Sequence, residues 1–278
     1  MSLSNVGPVV LVGAGKMGLA LARGWVAGGL PPAQLVLVDP KPGDETMRFA
    51  REHDIRLLES PIGILTHVMV LAVKPQVIRQ VMEEIAPAAG PHTLALSIAA
   101  GISIATIAQY LPTDRIVRAM PNTPSQIRRG IAVWTASPAC TARQRDLARS
   151  VLKAIGQEKE VGDETFVAMA TALSGTGPTY LFAVMEALID AGVHMGFPRE
   201  LAHDLVVETL IGSAEYASQS ELHPAQLRNL VTSPGGTSAA AIYELEKGRI
   251  RTVLSDAVWA AYRRTLELGE RREQETGG

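Results

Sequence analysis

The 278-residue sequence contains few of the features that mark several large protein classes. Its one cysteine, Cys140, excludes an internal disulfide, fits a reducing cytosol and predicts a buried, apolar role for the thiol. Only 19% of residues are charged and the net charge is −2, so there is no basic field to attract nucleic acid. Aromatic residues make up 4% although 47% are hydrophobic, so the interior consists mainly of Ala, Val, Leu and Ile. This composition favours closely packed helices and parallel strands.

Long apolar segments are also scarce. The N-terminus lacks the basic start and the uninterrupted apolar stretch of a secretory signal peptide. Residues 165–185 carry no charge over 21 positions, but Ser174-Gly175-Thr176-Gly177-Pro178-Thr179 interrupts their middle. We therefore expect a buried helix pair there rather than a membrane helix, and a cytoplasmic protein with no membrane partner.

The chain divides into two parts with different patterns. Short apolar strands alternate with helical stretches in the first part, and the predicted strands cover residues 8–12, 35–38, 68–73, 93–97, 115–119 and 131–135. Such alternation predicts an α/β fold with a parallel sheet covered by helices on both faces. After Asp163, which has the position of a helix N-cap, the predicted helices cover residues 163–173, 178–194, 199–218, 222–230, 236–247 and 250–270. We predict an α/β domain at 1–162 and a helical domain at 163–278.

A glycine-rich turn follows the first predicted strand and opens a helix. It reads Gly13-Ala14-Gly15-Lys16-Met17-Gly18, and in this strand–turn–helix context the GxGxxG spacing predicts a binding site for a dinucleotide pyrophosphate. The second strand is followed by Asp39, 26 residues after Gly13, where an acidic residue accepts hydrogen bonds from the adenosine ribose. Asp39 would repel the 2′-phosphate of NADP(H) and Lys41 would attract it, so the cofactor is NADP(H) or NAD(H).

Three further segments follow the ends of predicted strands, which is where a parallel sheet binds its ligand. They add these candidate cofactor-binding residues: Ala72, Val73, Lys74, Pro75, Ala99, Ala100, Gly101, Met120, Pro121, Asn122 and Thr123. Small residues and prolines there let a planar cofactor approach the backbone. Asn122 and Thr123 are candidates for amide recognition, although such residues beside proline also form turns. Lys74 either contacts a ribose or is solvated.

A second glycine loop occurs far along the chain, where Val231-Thr232-Ser233-Pro234-Gly235-Gly236-Thr237-Ser238 leads into a helical run. Adjacent glycines let successive N–H groups point the same way, and a helix N-terminus adds unpaired donors and partial positive charge. Together they predict a pocket for a small anion such as a carboxylate, although the same residue types also form ordinary capped turns. The candidate substrate-binding residues are Val231, Ser233, Gly235, Gly236, Thr237 and Ser238.

With these motifs in order, the chain resembles the pyrroline-5-carboxylate reductases over nearly its whole length. The match includes Leu173-Ser174-Gly175-Thr176-Gly177-Pro178-Thr179-Tyr180, in which the family usually has Ser and Ala where this chain has Thr176 and Thr179. The resemblance implies an N-terminal Rossmann domain with a doubly wound parallel sheet, then an all-α dimerisation domain, and in some members a ring of dimers. It also implies that Ser233 and the backbone from Gly236 to Ser238 hold the substrate carboxylate. Asp39 stands where many members have a small polar or basic neighbourhood suited to NADPH.

The helical part is itself rich in small and apolar residues, for example Gly212-Ser213-Ala214. We expect it to pack against a second copy of itself with two-fold symmetry, the alternative being that these faces pack on each other within one subunit.

The implied reaction, reduction of the C=N bond of pyrroline-5-carboxylate to give proline, needs no catalytic base. Oxidising an alcohol requires removal of a proton, and hydroxyacid dehydrogenases of similar architecture place a lysine near the reacting carbon. Between Val161 and Glu246 this chain has no lysine. A protonated cyclic imine is already electrophilic, so the protein has to anchor the carboxylate and hold the ring at hydride distance.

Ser233 and Ser238 are the candidate catalytic residues, because the hydroxyl of either residue can hydrogen-bond or protonate the imine nitrogen. Histidines 194, 203 and 223 show no pattern of catalytic partners. The alternatives are a reductase of another cyclic imine, a hydroxyacid dehydrogenase, and a cofactor-binding scaffold without turnover. The absence of a lysine argues against the dehydrogenase, and the intact Ser233–Thr237 loop argues against the scaffold.

Overall fold

A computed structural model describes residue 3 and residues 6–274. Within these residues an eight-stranded sheet has the spatial order β3-β2-β1-β4-β5-β6-β7-β8. The strands are Val9–Val12 (β1), Leu35–Val38 (β2), Arg56–Leu58 (β3), Val68–Leu71 (β4), Leu94–Ser97 (β5), Ile116–Met120 (β6), Gly130–Ala136 (β7) and Gly156–Glu160 (β8). Neighbouring strands are parallel except β6 and β7, which are antiparallel.

Helices cover both faces of the sheet. They are Lys16–Ala27 (α1), Asp44–Glu52 (α2), Ile78–Ile85 (α3), Ile104–Tyr110 (α4) and Ala142–Lys153 (α5). Side chains alternate along each strand, so there are two hydrophobic cores, one on each face of the sheet. Leu11 belongs to the first core and the adjacent Val10 to the second. Cys140 is buried in the first core as predicted, and this burial raises the pKa of its thiol.

The rest of the chain is helical. The helices are Glu164–Ala170 (α6), Gly177–His194 (α7), Arg199–Gln219 (α8), Pro224–Leu230 (α9), Thr237–Lys247 (α10) and Ile250–Gln274 (α11), and a π-helical turn at Thr171–Gly175 follows α6. Asp163 is the N-cap of α6 as predicted, because its carboxylate accepts a 2.6 Å hydrogen bond from the N–H of Thr165. This hydrogen bond lowers the pKa of Asp163.

The predicted fold class, an α/β sheet domain followed by helices, is confirmed, with two corrections to the sheet. Strands β3 and β8 were not predicted, since β3 has three residues and β8 reads Gly-Gln-Glu-Lys-Glu, with no apolar side chain. The expectation of an all-parallel sheet is wrong at β7. Only residues 121–129 connect β6 to β7, and a parallel crossover needs about a dozen residues or more.

The described residues form two compact units. One contains the chain through Thr176 together with the chain from Ala261 onward, and the other contains residues 177–260. In the second unit, Pro178 is the buried residue of α7 and Ala202 that of α8, and neither α9 nor α10 buries a residue. The described part of the chain has no helix long and apolar enough to cross a membrane.

The uncharged segment 165–185 forms helices as expected, but the prediction that they are buried is wrong for the single chain. Phe166, Leu173, Leu181 and Phe182 are each more than half exposed. Exposed apolar side chains continue along α8, α10 and α11, for example Leu205, Ile211, Tyr216, Tyr243, Val253 and Trp259. The described chain therefore presents apolar helix faces that it does not itself cover.

Candidate active site

The turn between β1 and α1 contains three glycines. Gly13 and Gly18 lie very close to neighbouring backbone, whereas the space beside Gly15 is open. Gly13 has a φ of +91°, and a Cβ there would lie 2.8 Å from the carbonyl carbon of Ala72. A Cβ at Gly18 would overlap the carbonyl oxygen of Gly13. A Cβ at Gly15 would meet no atom within 4 Å, and no side chain caps α1. Because the first N–H groups of a helix lack intrahelical partners, this open N-terminus fits the pyrophosphate of a dinucleotide.

Asp39, directly after β2, is fixed beside this turn. One carboxylate oxygen accepts a 3.0 Å hydrogen bond from the N–H of Ala14, and the other accepts a 2.9 Å bond from the N–H of Lys41. The hydroxyl of Thr46 on α2 donates a 2.7 Å hydrogen bond to the carbonyl of Ala14. These bonds join the end of β2, the glycine turn and α2 at Ala14. They also hold the Asp39 carboxylate next to the turn.

A cleft of about 350 Å³ opens between the glycine turn and α3. Six of the candidate cofactor-binding residues line it together, namely Gly13, Gly15, Asp39, Ala72, Val73 and Lys74. Glu59 and Glu84 also line the cleft and were not predicted. Glu59 follows β3, so the sequence pattern that missed this short strand also missed the residue at its end.

The structure places the remaining candidate cofactor residues around the same strand ends. Lys16 is exposed at the start of α1, and Met17 packs against the first hydrophobic core. After β5, Gly101 has a φ of +72°, and the hydroxyl of Ser97 accepts a 3.3 Å hydrogen bond from the N–H of Ala99. After β6, Pro121 is buried and Thr123 begins a short 3-10 helix.

Asn122 connects the loop after β6 to the π-helical turn. Its side-chain amide donates a 3.1 Å hydrogen bond to the carbonyl of Ser174, and its side-chain oxygen accepts a 2.9 Å bond from the N–H of Ile131. The carbonyl of Ser174 lacks a normal helical donor because the residue four positions later is Pro178, which has no N–H. Asn122 supplies that donor. Met120 lies under the same turn, where a Cβ at Gly175 would be 2.8 Å from its methyl carbon.

We expect Asn122→Asp to destabilise the protein by about 1–3 kcal/mol, because the carboxylate keeps the acceptor for Ile131 but removes the donor to Ser174. Asn122→Ala should cost at least as much, since it removes both bonds. Asn229→Asp, at an exposed position on α9, is the matched control. The measurement is the free energy of unfolding in urea, and equal values for Asn122→Asp and the parent would show that the Ser174 bond contributes nothing.

Glu164, in the first turn of α6, was not predicted but joins two elements near these loops. One of its carboxylate oxygens accepts a 2.9 Å hydrogen bond from Arg118 on β6 and a 3.0 Å bond from the N–H of Ile104, the first residue of α4. Arg118 is buried, so its guanidinium requires this partner. Glu164 therefore connects β6 to the start of α4.

The second glycine loop has the backbone geometry expected of an anion pocket. Gly235 has a φ of +71°, and Gly236 is the N-cap of α10 without a side-chain cap. The N–H groups of Thr237 and Ser238 have no acceptor among the described residues. Beside them, a Cβ at Gly236 would lie 2.5 Å from the hydroxyl oxygen of Ser233. Val231 differs from the other candidates here, since its N–H donates to the carbonyl of Arg228 and its side chain is exposed.

The histidines of the helical part have structural or solvent-exposed roles. His223 caps α9 by accepting a 3.2 Å hydrogen bond from the N–H of Ala225. His203 is exposed and contacts its neighbour Asp204 at 3.1 Å. Among the described residues, no group of three or more His, Cys, Asp or Glu side chains is placed to hold a metal ion.

Two family models match the chain. The model described as pyrroline-5-carboxylate reductase dimerisation matches residues 164–268, and the model described as NADP oxidoreductase, coenzyme F420-dependent, matches residues 8–101. The pyrroline-5-carboxylate reductase of Pseudomonas aeruginosa is 38% identical over 269 residues, covering 96% of this chain and 98% of its own length. The enzyme of Pisum sativum is 37% identical over 270 residues, covering 96% and 97%.

Solved structures agree with these relatives. A pyrroline-5-carboxylate reductase from Coxiella burnetii has a TM-score of 0.87 at 35% identity, covering 95% of this chain and 99% of its own. The pyrroline carboxylate reductase of Plasmodium falciparum, solved with NADP bound, has a TM-score of 0.84 at 29% identity, covering 94% and 98%. Sequence identity at this level over almost the whole chain, on the same fold, shows that the protein belongs to the pyrroline-5-carboxylate reductase family.

Proposed function

We propose that this protein reduces 1-pyrroline-5-carboxylate to L-proline, the last step of proline biosynthesis, using NADH or NADPH. One observation carries the proposal. This chain, which belongs to the family, has both a glycine turn that is open to a pyrophosphate and a glycine loop with free N–H groups at Thr237 and Ser238. The name shared by its relatives supports the same substrate.

The substrate carboxylate is bound, in this proposal, by the second glycine loop. The free N–H groups of Thr237 and Ser238 donate to its oxygens, and the N-terminal end of α10 favours negative charge. Gly235 and Gly236 keep the approach clear, and the hydroxyl of Ser233 adds a third donor next to Gly236. Val231 ends α9 and sets the start of the loop.

When bound, the dinucleotide would supply the hydride that the C=N carbon accepts. The imine nitrogen takes its proton from solvent before that transfer, so one proton and one hydride together convert the C=N bond into the secondary amine of proline. A hydroxyl at Ser233 or Ser238 hydrogen-bonds this nitrogen and orients the ring, so these two serines are our proposed catalytic residues. No lysine is required in the helical part, because no alcohol has to lose a proton.

The cofactor site that we propose consists of the glycine turn and the loops after the strands. Its residues are Gly13, Ala14, Gly15, Lys16, Met17, Gly18, Asp39, Ala72, Val73, Lys74, Pro75, Ala99, Ala100, Gly101, Met120, Pro121, Asn122 and Thr123. The cleft lined by Gly13, Gly15, Asp39 and Lys74 supports its adenosine end. The side chain of Asn122 is engaged by Ser174 and Ile131, so its contribution is to hold the loop in place.

We further propose that the protein is a cytoplasmic homodimer, with a ring of dimers as a larger assembly. The exposed apolar faces of α7, α8 and α11 support a partner of the same kind, and the match to a dimerisation model supports it independently. That model begins at residue 164, which supports a functional division at 162/163. The two compact units divide the chain elsewhere, because the end of α11 belongs to the sheet-containing unit.

The decisive experiment is an NAD(P)H oxidation assay. Purified protein should oxidise NADH or NADPH only when pyrroline-5-carboxylate is present, and amino-acid analysis should identify the product as proline. A 2-keto acid and another cyclic imine that lacks the carboxylate serve as control substrates, and we expect little turnover of either. Efficient turnover of the keto acid with none of pyrroline-5-carboxylate would contradict the proposal.

A further inference from the structure

Two neighbouring strands of the sheet, β2 and β3, are each followed directly by an acidic residue, and the parallel register places these two residues side by side. Val38 pairs with Leu58 in the parallel register of β2 and β3, so Asp39 and Glu59 are the next residues on adjacent strands. The N–H of Asp39 donates a 3.0 Å hydrogen bond to the carbonyl of Leu58, which keeps the strands together to this point. Because neighbouring strands lie about 4.8 Å apart, the backbone positions of Asp39 and Glu59 are close to each other.

Both side chains line the cleft that begins at the glycine turn, and Glu84 of α3 lines it as well. Lys74 is the cationic residue of this lining. The cleft therefore carries three carboxylates and one ammonium group. Lys41 contributes its backbone N–H to Asp39 but is not part of the lining.

The two carboxylates at the strand ends differ in how they are held. Asp39 accepts hydrogen bonds from the N–H groups of Ala14 and Lys41. Glu59 is exposed and forms no hydrogen bond or ion pair with any residue that the structure describes. No cationic side chain that the structure describes forms an ion pair with Glu59, so its charge is free to act on a group that enters the cleft, alongside the ammonium group of Lys74.

We propose that Glu59 is a second determinant of cofactor choice beside Asp39, and that together they favour NADH over NADPH. The inference depends on the proposed dinucleotide site. Hydroxyl groups of an adenosine ribose donate hydrogen bonds to carboxylates, whereas a 2′-phosphate carries negative charge into a cleft that already holds three carboxylates. The free side chain of Glu59 accepts from a ribose hydroxyl and repels a phosphate at the same position.

The test is Glu59→Gln, which removes the charge, keeps the shape and breaks no bond to a described residue. Dissociation constants for NAD⁺ and NADP⁺ are measured by calorimetry on the full chain, and kcat/KM for NADH and NADPH by the assay above. We expect NADP⁺ to bind roughly five- to twentyfold more tightly than to the parent, with NAD⁺ changed less than about threefold. The ratio of kcat/KM for NADPH to that for NADH should rise by a similar factor.

Glu83→Gln is the matched control. Glu83 is exposed on α3 next to Glu84 but does not line the cleft. The Glu83→Gln substitution therefore removes the same charge from the same region without changing the lining of the cleft. We expect its NADP⁺/NAD⁺ ratio to stay near that of the parent. An equal shift in both variants would reduce the role of Glu59 to overall charge and overturn the proposal.

Two further outcomes are distinguishable. If the parent binds both dinucleotides and Glu59→Gln leaves their ratio unchanged, Glu59 does not face the ribose and this inference fails while the proposed function stands. If the parent binds neither dinucleotide, the proposed function and this inference fail together. A parent that binds NADP⁺ more tightly than NAD⁺ would also contradict the stated preference.

Discussion

Gly236→Val should lower kcat/KM for pyrroline-5-carboxylate by at least about a hundredfold while leaving dinucleotide affinity near that of the parent. A Cβ at this position would lie 2.5 Å from the hydroxyl oxygen of Ser233, so the valine displaces Ser233 and covers the free N–H groups that follow. The φ of −79° at Gly236 is accessible to any residue, so the backbone tolerates the change. The loss should therefore be local to the substrate loop.

Ser233→Ala should give a milder version of the same result. One hydrogen bond to a charged group is worth roughly 1.5–3 kcal/mol, which corresponds to about a ten- to hundredfold loss in kcat/KM. Gly162→Val is the control for Gly236→Val, because a Cβ there meets no atom within 4 Å. Substrate KM, dinucleotide affinity and melting temperature are measured on all three variants. If Gly236→Val and Ser233→Ala fold normally and bind substrate like the parent, the carboxylate is bound elsewhere.

Gly15→Val should weaken dinucleotide binding by more than about tenfold with little effect on stability. Gly15 is the N-cap of α1, and its φ of −69° suits an ordinary residue. The space around it is open in the structure, with no atom within 4 Å of a Cβ. The valine therefore meets no protein atom and blocks the volume that the pyrophosphate would use.

Gly43→Val provides a close match for this test. Gly43 is the N-cap of α2 with a φ of −72°, its Cβ position is equally open, and it does not line the cleft. Both variants should have melting temperatures within a few degrees of the parent, and Gly43→Val should bind NAD⁺ and NADP⁺ normally. Equal dinucleotide affinities for Gly15→Val and the parent would show that no phosphate approaches Gly15.

Most of the sheet was predictable because its central strands are short, continuous apolar runs. Buried parallel strands such as Val68–Leu71 cannot alternate in polarity, and glycine or polar residues mark their ends. The edge strands lack this signal. β8 alternates between partly buried and exposed positions with no apolar side chain, and only its pairing with β7 makes it a strand.

The residues of the candidate site also fall into two groups, those that a local sequence pattern indicates and those that it does not. Gly13–Gly18 and the loop at Ser233–Ser238 have local patterns that indicate the roles we propose, because that chemistry lies in consecutive backbone groups. Asp39 is indicated by its position after the second strand and its spacing from the glycine turn. Glu59, Glu164 and the bonding of Asn122 depend on pairings between distant segments. No local pattern places Asn122 beside Ser174, 52 residues later, although the missing N–H of Pro178 indicates that the Ser174 carbonyl needs a donor.

The two hydrogen bonds that hold Asp39 also restrict how this enzyme can be re-engineered or can diverge. Replacing the Asp39 carboxylate changes its bonds to Ala14 and Lys41, and so disturbs the glycine turn together with the ribose contact that we propose. A lineage or a designer that shifts the protein towards NADPH thus meets a penalty at Asp39 that is absent at a side chain without partners. We expect accepted substitutions to appear first at the unbonded positions of the cleft, with Asp39 changing last.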